Sequence, residues 1–281
     1  MKHLVLMLLG LLPLCAEAAP LPADTPVPGG VAVLQLPDGA ARPVVHMGVQ
    51  RIMVVQNDHH WYALAGIPLG TAPGEHSLTL ENPDGPPLEL KFQVDAKTYP
   101  VQRLTIENPH MVNPTPEELA RITREKAHLD QVLDTWTPRP EPGLAFTWPA
   151  DGPQSSGFGL QRVLNGEPRS PHSGIDIAAA TGTPVRAPES GVVADVGDYY
   201  FCGNTLTINL GQGLYSVYCH LSRIDVKPGT QVTRGEVVGA IGATGRTTGP
   251  NLHWTVRLNG TPVNPHEFLP QTATDTSSKT Q

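Results

Sequence analysis

The sequence predicts a mainly β protein: an N-terminal β-sandwich, one linking amphipathic helix and a C-terminal antiparallel β-sheet domain. Three observations predict it. Short apolar-alternating runs recur between turn signals over residues 29–110, and the chain is again strand-rich over 144–270. The 281 residues include 30 prolines and 28 glycines and only 5% aromatics, a balance that suits short strands joined by many turns. Residues 116–136 alone carry apolar side chains at helical spacing.

The N-terminus, M-K-H-L-V-L-M-L-L-G-L-L-P-L-C-A-E-A-A, has a basic residue, an apolar run and then A-E-A. It reads as a secretory signal over residues 1–18, cleaved after Ala18. The run from Leu4 to Cys15 is too short to span a bilayer comfortably, and no other segment is apolar enough to cross one. Cys15 raises the alternative of a lipid anchor, but Leu14 precedes it where a small residue is expected. The expected location is therefore periplasmic or secreted. The formal net charge is −7 without a basic cluster, which argues against nucleic acid as a partner.

Over residues 29–110 the runs include V-A-V-L-Q-L, R-I-M-V-V-Q, W-Y-A-L-A, L-E-L-K-F-Q-V and V-Q-R-L-T-I. Turn signals such as Pro37-Asp38-Gly39 separate them, as in a small antiparallel sandwich. Next, Thr115-Pro116-Glu117-Glu118 is a helix start. Leu119, Ile122, Leu129, Val132, Leu133 and Trp136 form the apolar stripe of that helix. It ends at T-P-R-P-E-P-G, residues 137–143, a stiff linker. Residues 271–281 are polar and read as a disordered tail.

Beyond the signal, Cys202 and Cys219 remain. The stretch between them reads as a hairpin turning at Gly211-Gln212-Gly213, which brings both cysteines to one end. A disulfide is the expectation in an oxidising compartment, with two buried free thiols as the alternative.

The chemistry sits in the C-terminal half. His172 and Asp176 form an H-x-x-x-D pair in S-P-H-S-G-I-D-I-A-A-A. On a straight strand four residues span about 13 Å, too far to share one ion, so the chain must bend at Ser173-Gly174. His253, on an apolar strand after a Gly/Thr loop, is the candidate third ligand. Two histidines and one carboxylate with an open fourth position is a composition typical of hydrolytic zinc. Asn251 lies on the same face, about 6.5 Å along that strand. His220, in Y-S-V-Y-C-H-L-S, ends the hairpin and is a candidate to exchange a proton with the attacking water. Taken singly, each residue also has a plain alternative as a hydrogen-bonded core or surface side chain. His46, His59, His60, His76, His110, His128 and His266 have no partner at a ligand-like spacing and are read that way.

Joined in order, H-S-G-I-D-I-A-A-A-T-G-T-P-V-R-A-P, Y-C-H-L-S and G-A-T-G-R-T-T-G-P-N-L-H-W resemble the lysostaphin/LytM-type zinc endopeptidases of bacterial cell walls. The resemblance covers residues 150–268, and the preceding domain resembles the β-rich N-terminal domain of some exported members. It implies zinc held by His172, Asp176 and His253, His220 as catalytic partner of the water, and cleavage of peptidoglycan stem or cross-link peptides. In a directly cross-linked wall the implied bond is D-alanyl to diaminopimelate. The family usually has histidine where this chain has Asn251, whose amide is expected to donate to the developing oxyanion. The alternative the departure raises is a catalytically weak wall-binding or amidase-regulating protein.

Overall fold

A computed structural model describes residues 20–139 and 142–270; the signal, Cys15 and the C-terminal tail lie outside the described residues. The N-terminal runs form β1 (Val31–Gln35), β2 (Val45–Met47), β3 (Gln50–Asn57), β4 (His60–Gly66), β5 (Gly74–Leu80) and β6 (Leu88–Val94). They make one six-stranded, barrel-like sheet in the order β1-β4-β3-β2-β5-β6. Strand β3 serves both halves, pairing with β2 through Gln50–Ile52 and with β4 through Met53–Asn57. Ile52 and Val54 point into the N-terminal core with Ala63, Ala65 and Leu78. Met53 and Val55 join Leu64 in the other core, with Trp254 and Val256. Burial on both faces explains why I-M-V-V is a continuous apolar run rather than an alternation.

The seventh run does not join that sheet. β7 (Val101–Leu104) pairs in parallel with β9 (Gln161–Leu164), beside β10 (Glu167–Pro168). Pairing across some 60 residues leaves no local signal, so strand pattern alone placed β7 with its sequence neighbours.

Helix α1 (Pro116–Leu133) starts as the sequence indicates, with a reciprocal capping box between Thr115 and Glu118. Its apolar stripe is only half used. Leu129 and Leu133 pack with Tyr215 and Val217, whereas Leu119 is 50% exposed. The first turns are held by polar contacts instead: Arg121 Nη2 donates to the Asp198 carbonyl oxygen at 3.0 Å, and Glu125 Oε2 accepts from the Tyr200 N–H at 2.8 Å. The following segment is docked as well, since Arg139 Nη1 donates to the Ser190 carbonyl oxygen at 2.6 Å and Gln212 N–H donates to the Thr137 carbonyl oxygen at 2.8 Å.

The remaining strands are β8 (Gln154–Ser156), β11 (Ile175–Ala178), β12 (Pro184–Arg186), β13 (Gly191–Tyr199), β14 (Gly203–Gly211), β15 (Leu214–Cys219), β16 (Leu221–Ile224), β17 (Gln231–Val232), β18 (Val237–Ile241), β19 (Asn251–Leu258) and β20 (Thr261–Val263). The main sheet runs β17-β13-β14-β15-β19-β11-β8, with β20 on β19. The hairpin β14–β15 turns at Gly211-Gln212-Gly213, and Cys202 is bonded to Cys219 as a disulfide. The two sheets meet closely where a Cβ on Gly66 would lie 2.7 Å from the Leu258 carbonyl oxygen, so only glycine fits there. Among the described residues no helix is long and apolar enough to cross a membrane.

Candidate metal centre

β11 and β19 are antiparallel neighbours with Asp176 directly opposite His253, so pleating puts both side chains on one face. His172 comes from the segment before β11. Its N–H donates to the Leu160 carbonyl oxygen at 2.9 Å, and its carbonyl oxygen accepts from the Gly159 N–H at 2.8 Å. The expected bend lies at Gly174, where a Cβ would be 2.3 Å from the Trp254 carbonyl oxygen. Any larger residue would push this segment off β19 and carry His172 away.

The three donors converge. His172 Nε2 is 3.1 Å from Asp176 Oδ1 and 2.9 Å from His253 Nδ1, and His253 Nδ1 is 2.8 Å from Asp176 Oδ1. A tetrahedral divalent ion with arms of about 2.0–2.1 Å sets its ligand atoms about 3.3 Å apart, so a few tenths of an ångström of movement admits one. The proton inventory also fits a cation. His172 Nδ1 lies 2.6 Å from the Gly157 carbonyl oxygen, which can only accept, so Nδ1 carries the proton and Nε2 turns a lone pair inward. Asp176 adds an ionised oxygen. Burial alone would push its carboxyl up, yet hydrogen bonding and charge from His172 and His253 hold it well below the usual carboxylate range. A lone pair and a carboxylate in contact are mutually repulsive unless positive charge sits between them. This is the one such cluster of His, Cys, Asp and Glu among the described residues.

Outer partners orient the set. Arg162 Nη2 donates to Asp176 Oδ2 at 3.2 Å, Ser156 Oγ lies 3.2 Å from His172 Nδ1, and Thr255 Oγ1 lies 3.0 Å from His253 Nε2. Such partners fix ring orientation and tautomer.

His220 stands at the end of β15, whose last residue, Cys219, is opposite His253. Its ring centroid is 6.1 Å from that of His253. Its backbone has φ 67°, held by the N–H donating to the Cys202 carbonyl oxygen at 2.8 Å and by the adjacent disulfide. Its Nδ1–H donates to the Thr244 carbonyl oxygen at 2.7 Å, which leaves Nε2 as a free acceptor. Burial, then the charge of His253, pulls this imidazole down to about 4. Burial likewise pulls His172 down, against the opposing effect of Asp176.

These shifts set a pH dependence. From the ordinary value of 6.5 down to about 4 for His220, the unfolded chain binds protons that the folded chain excludes. The folded state therefore keeps this contribution above pH 6.5 and loses it as pH falls through that window, by about 3 kcal/mol for His220. Urea-unfolding midpoints of chelator-treated protein are expected to fall steadily over this range, and His220→Asn to flatten part of the slope. A midpoint independent of pH there would contradict the burial of neutral imidazoles.

Asn251 turns its amide donors to its own loop. Its Nδ2 donates to Thr247 Oγ1 at 2.8 Å and to the Gly249 carbonyl oxygen at 3.3 Å, while Oδ1 is buried without a partner. The opposite amide orientation would set oxygen against the Gly249 carbonyl. The group turned away from these loop bonds is thus an acceptor, and an oxyanion is better served by a donor. Of the histidines set aside, His60, His76, His110, His128 and His266 bond elsewhere, to Asp38, Ala72, Glu118, Asp195 and Gln154.

A groove that reaches Asp176 is lined by Leu104, Ile106, Arg246 and Thr247, and by His220 and Asn251. Comparison with known proteins then settles the family. Residues 170–265 match peptidase family M23, and residues 24–97 match the M23 N-terminal domain. A crystal structure from Pseudomonas aeruginosa assigned to peptidase M23 aligns at 40% identity and TM-score 0.74, over 87% of this chain and 95% of that one.

The chain belongs to peptidase family M23.

The M23 chain is also 48% identical over 94 residues to the DD-carboxypeptidase/endopeptidase Mpg of Neisseria meningitidis, and 43% identical over 95 residues to the peptidoglycan DD-endopeptidase ShyA of Vibrio cholerae. Each match takes in 34% of this chain but spans only 22% of the relative's length.

Sequence reasoning missed Arg162, Ser156, Thr255 and Arg246 in this M23 site. Thr255 had a signal, since it shares the His253 face at a spacing of two. Arg162 and Ser156 had none, because only tertiary packing brings β8 and β9 to the candidate ligands.

Proposed function

We propose that the chain is an exported, zinc-dependent endopeptidase that hydrolyses peptide bonds in peptidoglycan cross-links, with D-alanyl–diaminopimelate as the bond. The observation that carries the reading is the convergence of His172 Nε2, Asp176 Oδ1 and His253 Nδ1, with Asp176 lining a groove that His220 also lines. The names of the M23 relatives, a DD-carboxypeptidase/endopeptidase and a DD-endopeptidase, support the substrate class. His172, Asp176 and His253 would hold zinc, which when bound acidifies water and polarises the scissile carbonyl.

The chain's own groups do the rest. His220, neutral near pH 7 with its Nδ1–H committed to Thr244, offers Nε2 to take a proton from the attacking water. It then returns that proton to the departing amine nitrogen. Arg162 holds the second oxygen of Asp176, so the carboxylate keeps its first oxygen toward His172 and His253, where the ion would be held.

Asn251 favours one second reading, a zinc-binding wall protein or amidase regulator of weak activity, because its amide donors are committed to their own loop. Isolated sacculi incubated with the purified protein separate the two. The endopeptidase reading expects one zinc per chain and soluble muropeptides of uncross-linked mass. It expects Asn251→His to cleave at least as fast as the parent. Zinc bound without cleavage, even in Asn251→His, would favour the regulator.

A further inference from the structure

Arg246 lines the groove beside Asp176, and among the described residues it has no acidic partner. Its guanidinium lies over the Phe201 ring, with Cζ 4.2 Å from the centroid, and Nη1 donates to the Met111 carbonyl oxygen at 3.1 Å. Its backbone N–H donates to the Phe201 carbonyl oxygen at 2.8 Å, which anchors the loop beneath it. Among the described residues no carboxylate pairs with it, although Arg162 and Arg169 nearby are paired with Asp176 and Glu167. Burial, then the like charges of Arg162 and Arg169, pulls it down to about 10, so its surroundings penalise the charge they enclose. A partly buried guanidinium with five donors and one hydrogen bond is an expensive arrangement unless an anion completes it. The groove holds two arginines against the single carboxylate of Asp176, in a chain whose net charge is −7. The positive charge is therefore local to the groove.

We propose that Arg246 recognises a free carboxylate on the substrate, the one borne by the carbon that carries the scissile amide nitrogen. The inference rests on the endopeptidase reading and deepens it. In a D-alanyl–diaminopimelate cross-link the acyl side presents only a methyl group, and the amine-side carbon bears the one anion adjacent to the bond. A planar fork binds such a carboxylate bidentately, which a lysine cannot reproduce. Met111 holds one edge of the guanidinium and Phe201 one face, so the remaining donors are directed rather than free to swing. The site selects the leaving-group side and leaves the acyl side to the rest of the groove.

The test uses two synthetic cross-linked peptides that differ only in whether that carbon bears a carboxylate or a carboxamide. The zinc-loaded protein is expected to favour the carboxylate by about 10- to 100-fold in kcat/KM, the scale of a charge-assisted hydrogen bond. In Arg246→Gln the ratio should collapse to near one, and Arg246→Lys should keep only part of it. Calorimetric binding of both peptides to zinc-loaded His220→Asn gives a readout independent of turnover. Equal use of both peptides by the parent, or a full ratio in Arg246→Gln, overturns the proposal and leaves Arg246 as a structural tie to residue 111. If neither peptide is cleaved but binding still discriminates through Arg246, the recognition site stands and the hydrolytic reading fails. If neither cleavage nor binding discriminates, both fall.

Discussion

Replacing His172 with alanine is expected to release the metal and abolish cleavage together. The proposed site rests on three protein donors, and a zinc site with three protein ligands that loses one no longer holds the ion tightly. Losing an outer-shell partner alone costs about 10- to 100-fold in metal affinity, and an inner ligand costs more. Elemental analysis after dialysis should find no zinc, and mass spectrometry should find no released muropeptides. Because His172 is 1% exposed, its removal also leaves a hole in the core. His253→Ala, checked by circular dichroism, gives the same test from the partly exposed side of the cluster. One zinc per chain in both folded variants, with cleavage intact, would sink the triad.

Replacing His220 with asparagine is expected to leave zinc content unchanged and lower kcat by about 10²- to 10⁴-fold, the usual worth of a positioned general base. Asparagine is chosen for two reasons. It tolerates the positive φ that position 220 requires, and its amide can still donate to the Thr244 carbonyl oxygen. The variant thus deletes the Nε2 acceptor while sparing the loop. Activity within a few-fold of the parent would show that the proton goes elsewhere. Lost zinc would show that His220 supports the ligands rather than the reaction.

What was legible in the sequence follows the range of each interaction. The start of α1 was readable because Thr115 and Glu118 cap each other three residues apart. The β14–β15 hairpin was readable because Gly211 and Gly213 adopt positive φ around one tight turn. The candidate ligands His172, Asp176 and His253 could be named from residue types and spacing that resemble a family, and packing brings them together. The half-used helix stripe was not, because Leu119 stays half exposed while Arg121 and Glu125 hold the first turns, and no periodicity reports what a partner surface offers.

The sequence by itself determined which residues could carry the chemistry: His172, Asp176, His253 and His220, on strands and turns whose local geometry it encodes. Only the tertiary structure decided how they act. It set Asp176 across from His253, turned the His172 lone pair inward, committed the Asn251 donors to their loop, and placed Arg246 in the lining of the groove with no carboxylate among the described residues paired to it. The reason is physical. Local conformation depends on neighbours a few residues away, whereas a proton's position and a charge's compensation depend on which distant groups packing brings within about 3 Å.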